Sequence, residues 1–178
     1  MFLSLNNWRI SSFSGALLAA YFIPTWTIIA FRIMISPIHA LYERSNIALA
    51  LFVSDHLQLL ATGTLRAAWL LAVGRLTVVA FFAIFLVLIS RPSIRRAGGC
   101  DEALSLALGI GSLISFILML MASQAGEAAA LRLHATELLL LLGTAIVLVV
   151  ERPAQPIVAQ SATADALTLD QPQLLHNR

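Results

Sequence analysis

Long apolar runs separated by short polar connections dominate the chain. Four of them, residues 14–35, 66–89, 103–123 and 131–150, reach the ~20 residues that a helix needs to cross ~30 Å of hydrocarbon. Each predicts a membrane-spanning helix, and together they predict an all-α integral membrane bundle of four transmembrane helices. Pro24 lies inside the first run and predicts a kink that neighbouring helices tolerate. Pro37 starts a new segment, because the residue before a proline leaves the helical region.

Residues 37–62 follow a different pattern. Ile38, Leu41, Tyr42, Leu49, Phe52, Val53 and Leu60 share one helical face, with Glu43, Arg44, Ser54 and Gln58 largely on the other. That amphipathic arrangement predicts an interfacial or re-entrant helix. Residues 46–62 are also just long enough for a strained fifth span, so five spans stand as the alternative.

Composition agrees with a membrane location. The 178 residues are 60% hydrophobic and 11% charged, against about 25% charged in soluble domains. Residues 1–152 read as one transmembrane helical domain, with Trp8 and Arg9 suited to an interfacial anchor. Residues 153–178, rich in Pro, Ala, Ser and Thr, read as a flexible tail. Arg91, Arg95 and Arg96 cluster just beyond the second strong span, the pattern of a cytoplasmic connection. This orientation puts the C-terminus in the cytoplasm. Four spans place the N-terminus on that side too; five place it opposite. Every basic residue is arginine, which suggests a GC-rich bacterial genome and hence the inner (plasma) membrane.

The same composition excludes several chemistries. Without lysine there is no Schiff base and no Walker-type phosphate lysine. A lone cysteine, Cys100, makes neither an intramolecular disulfide nor a four-cysteine cluster. Of His39, His56 and His134 only His56 and His134 form a plausible axial pair for a haem, but no paired-histidine spacing recurs, and no close His/Asp/Glu pattern suggests zinc. No cofactor, metal, nucleic-acid partner or enzymatic activity is expected.

The candidate chemistry lies in charges set within the apolar runs. Burying one costs at least ~2.5 kcal/mol, so such a residue usually has a partner. Arg75 shares a face with Ala68, Ala72 and Val79 and therefore points into the bundle. Counted from Arg66 it lies about 14 Å deep, and Glu137, counted from Leu131, about 9 Å deep from the same side. The difference is within an arginine's reach. His134 shares the face of Glu137, while Asp55 and His56 join the cluster only if their segment enters the membrane. The candidate polar cluster is thus Arg75, Glu137, Asp55, His56 and His134. It is read first as a structural ion pair and alternatively as a proton-exchanging centre. On the third span Ala107, Gly111 and Ser115 form a small-residue stripe suited to close helix packing.

These features predict a non-catalytic accessory or structural subunit of a membrane assembly. It would contact the bilayer and, through the stripe, other membrane subunits or a second copy. The alternative is a proton-coupled or small-solute transport component centred on Arg75 and Glu137.

Overall fold

The computed structural model describes residues 10–58, 61–91 and 99–151. Trp8, Arg9, Leu60, Arg95, Arg96 and the 153–178 tail lie outside the described residues. Among the described residues six helices follow one another: α1 (Ile10–Ile35), α2 (Pro37–Leu41), α3 (Ile47–Asp55), α4 (Ala61–Ile89), α5 (Asp101–Gln124) and α6 (Ala128–Glu151). Four of them, α1, α4, α5 and α6, are long and apolar enough to cross a membrane. The protein is a multi-pass all-α membrane bundle, as the apolar pattern predicts. Several helices outrun the apolar runs: α4 begins five residues before Arg66 and α6 three residues before Leu131. Backbone hydrogen bonding continues into the flanking polar turns, where hydropathy has already fallen.

Among the described residues, the segment that could have formed a fifth span is too short to cross. The nine residues of α3 cover about 14 Å and the five of α2 about 8 Å, neither near the thickness of a bilayer. Pro37 at the first helical position starts α2, where a missing N–H costs nothing. Asn46 then locks the turn between the two short helices by donating its Nδ2–H to the Ala40 carbonyl at 2.9 Å. Leu41, Leu49, Ala50 and Val53 pack with Ala68, Ala72 and Leu118. The pair α2–α3 therefore closes one end of the bundle without crossing it. Outside this lid, Arg32 meets Glu43 at 3.2 Å in an exposed ion pair, worth about 0–1 kcal/mol.

The spanning helices form a ring in which α1 packs on α4, α4 on α5, α5 on α6 and α6 on α1. Consecutive spans are antiparallel, so α4 and α6 run the same way and face each other across the diagonal. Gly15 brings α1 close to its neighbours: a Cβ there would lie 2.9 Å from Leu104 Cδ2 and 3.0 Å from Phe85 Cζ. Phe22 stacks on Phe82 with centroids 5.8 Å apart and meets Trp26 edge-on at 5.0 Å. These rings anchor an apolar layer with Phe85, Leu104, Leu108 and Leu148. Cys100, in the turn just before α5, is buried in that layer.

Both ends of the bundle are capped by identifiable groups. At one end the Glu151 carboxylate accepts the backbone N–H groups of Ile10 and Ser11, at 2.9 Å each. It satisfies two of the orphan donors at the start of α1 and complements that helix's dipole. At the other, α5 ends in a left-handed glycine, Gly126 at φ +72°. Glu127 N–H donates to Ala122 O at 3.0 Å and Gly126 N–H to Ser123 O at 3.4 Å, the paired bonds of a Schellman turn.

Replacing Gly126 by alanine forces a Cβ into the left-handed region and should cost about 1 kcal/mol, read as a lower melting temperature in detergent. Topology reporters fused at the two termini should report the same side of the membrane. Opposite sides would require an odd number of crossings.

Candidate functional site

The polar centre is assembled at one level of the bundle. Trp26, Ser115 and Glu137 each lie nine residues in from the helix end on the lid side. Arg75 is the midpoint residue of α4, fourteen residues from either end, or about 21 Å. It is deeper than the sequence count gave, because α4 begins before Arg66. All four side chains are buried, Arg75 to 1% exposure and Glu137 to 4%.

Arg75 and Glu137 project from diagonal helices and do not bond to each other directly. Trp26 of α1 stands between them. The Arg75 guanidinium carbon lies 5.6 Å from the centroid of the indole ring, a cation–π contact. The indole Nε1–H donates to Glu137 Oε1 at 3.2 Å. One ring thus receives the cation on its π face and hands a donor to the carboxylate from its edge. The charges of Arg75 and Glu137 still attract through this low-dielectric interior.

Glu137 Oε2 is 3.0 Å from His134 Nδ1, one turn earlier on α6. His134 Nε2 lies 3.2 Å from the Ser45 carbonyl in the connection between α2 and α3. A polar chain therefore runs from the centre of the bundle to the lid, through Arg75, Trp26, Glu137, His134 and Ser45. It ties together α1, α4, α6 and the lid connection. Along it, Arg75 Nε and Nη1 and Ser115 Oγ have no hydrogen-bond partner among the described residues, and neither does Ser112 Oγ one turn from Ser115.

Of the residues singled out in the sequence, Arg75, Glu137 and His134 come together. Asp55 and His56 do not: both are exposed at the end of α3, where the His56 ring stacks on Phe52 at 5.0 Å. Their segment stops in the lid, because α3 is too short to carry them to the depth of Arg75. Among the described residues no group of three His, Cys, Asp or Glu side chains is arranged to hold a metal.

The stripe of Ala107, Gly111 and Ser115 is buried within the chain. A Cβ on Gly111 would sit 3.3 Å from Leu141 Cδ1 and 3.5 Å from Val78 Cγ1. Its close packing serves α4 and α6, so this face is not offered to a partner.

Trp26 is the member that sequence reasoning missed. Tryptophan in membrane proteins concentrates at the two interfaces, so an indole nine residues inside a span was itself a sign of a buried polar acceptor.

Trp26→Phe keeps an aromatic face and removes the donor. It should cost about 1.5–3 kcal/mol, the range for a hydrogen bond to a charged group, measured by thermal melting in detergent. Trp26→Leu also removes the cation–π contact and should melt lower still.

No protein-family model, curated protein or solved structure matches this chain.

Proposed function

We propose that this protein is a proton-coupled or small-solute transport component whose binding centre is the chain of Arg75, Trp26, Glu137 and His134. It catalyses no chemical transformation. The observation that carries the reading is Arg75: a guanidinium at the midpoint of a spanning helix, buried, with Nε and Nη1 unpartnered. A charge inside a bilayer is costly, and such residues commonly mark substrate or ion pathways. A purely structural arginine would normally have its donors satisfied by the protein. The His134 contact to the lid gives the centre a polar connection toward one face.

The second reading is a non-catalytic accessory or structural subunit docked on other membrane subunits or on a second copy. The bonds of Glu137 to two other side chains favour it, since they clamp separate segments as a structural tie would. The small-residue stripe no longer supports it, being consumed inside the bundle. In either case we place the protein in a bacterial inner membrane with its C-terminus cytoplasmic. The all-arginine basic content and Arg91, Arg95 and Arg96 beyond α4 support that orientation.

Reconstitution into liposomes separates the two. For a transporter, Glu137→Gln should abolish pH-dependent flux while the chain accumulates normally, and Asp55→Asn, on the exposed lid, should leave flux unchanged. For a subunit, replacing Arg75 and Glu137 together with neutral residues of similar size should leave assembly and phenotype intact. A defined partner should then co-purify in mild detergent.

A further inference from the structure

The hydrogen-bond geometry around His134 fixes a proton count. The Ser45 carbonyl only accepts, so the 3.2 Å contact requires a hydrogen on His134 Nε2. The 3.0 Å contact between His134 Nδ1 and Glu137 Oε2 requires one more, on either atom. With the hydrogen on nitrogen, an imidazolium faces a carboxylate; with it on oxygen, a neutral imidazole faces a carboxylic acid. The pair sums to zero charge both ways, and the positive charge of Arg75 is then uncompensated in the core.

The surroundings do not cancel it. On α1 the facing groups are Trp26, which does not titrate, and the Tyr21 hydroxyl, which also feels Glu137. The lid presents the Ser45 carbonyl and Asn46, and α5 presents Ser112 and Ser115, all uncharged. On α4 the charge is Arg75 itself. Glu43, Asp55 and His56 are outside the core on the lid surface.

The geometry points to a site for one small monovalent anion, held by Arg75 Nε and Nη1 and the Ser115 hydroxyl and taken up together with one proton. It rests on the transport reading of the same centre and names its substrate class. A low-dielectric core disfavours net charge, and this one has two neutral states. In one, the shared proton has left, and the negative Glu137–His134 pair balances Arg75. In the other, the proton is present and the anion balances Arg75. Proton and anion therefore enter and leave together. Arg75 and Ser115 reach the same place by register: Val78 and Gly111 are in line, and each residue is one turn further toward the lid on antiparallel helices. Phe22 on one side and Leu118 on the other belong to apolar layers that restrict the ligand to a halide or a short carboxylate.

The test is equilibrium binding to the purified full-length protein in detergent, with gluconate as the only other anion. Chloride and formate are titrated while Trp fluorescence, melting temperature and proton uptake in weak buffer are read. The expected result is a saturable response to at least one probe, with one proton taken up per anion. Apparent affinity should weaken tenfold per pH unit once the shared proton is lost. Glu137→Gln should bind the same anion with no proton uptake and a flat pH profile, because Arg75 then stays uncompensated at every pH. Arg75→Gln should not respond. The wild-type data alone are decisive if that variant fails to fold: no response to either anion, or a response without proton uptake, overturns the inference. Persistence of the response in folded Arg75→Gln overturns it as well. Flux of another solute with no chloride or formate binding would sink this inference and leave the transport reading standing. Coupled binding without flux in liposomes would do the reverse.

Discussion

A carboxyl group in the middle of a membrane bundle must be held by something other than water, and the architecture of this protein follows from how Glu137 is held. Its two oxygens take different partners, the Trp26 indole N–H and the His134 ring. One partner comes from a different helix and the other links onward to the lid. The carboxylate thereby sets the register of α1 against α6, and through His134 it sets the position of the connection between α2 and α3. The apolar layers on either side could slide by a turn at modest cost, since lipid tails are as apolar as the helix faces. The polar layer could not, because each misplaced donor or acceptor would be left in hydrocarbon.

The diagonal placement of α4 and α6 explains why the two opposite charges do not simply collapse into a contact pair. In a square ring of four helices the diagonal is the longest separation, and the gap has to be filled. Trp26 fills it with a large apolar body whose face suits a cation and whose edge carries a donor. The consequence is an asymmetric centre. The acid is well partnered, whereas the base keeps unpartnered N–H groups, and the buried Ser115 hydroxyl likewise has no partner among the described residues. A tie evolved for stability alone has no evident need of that imbalance, and this is why a binding role is the stronger reading.

The lid gives the centre a direction. Because α2 and α3 are too short to cross, they remain on one side and cover the end of the bundle from which Glu137 is nearer. His134 meets the lid backbone there, whereas aromatic side chains pack the opposite half of the core. The polar chain thus leaves the central layer toward the lid alone, with apolar clusters packed on both sides of that layer.

The sequence by itself determined the four strong spanning helices, their approximate bounds and the burial of Arg75 and Glu137. Those properties follow from local hydropathy and helical periodicity, which each segment carries without reference to the others. Only the tertiary structure decided what these residues meet. Whether residues 46–62 cross depended on where α3 stops, and this in turn set Asp55 and His56 apart from the centre. Whether the small-residue stripe faced a partner or the chain itself depended on the rotation of α5 between α4 and α6. Trp26 entered the site because a ring of four helices places α1 beside the diagonal between Arg75 and Glu137. That relation exists between helices distant in sequence, and no pattern within any one of them encodes it.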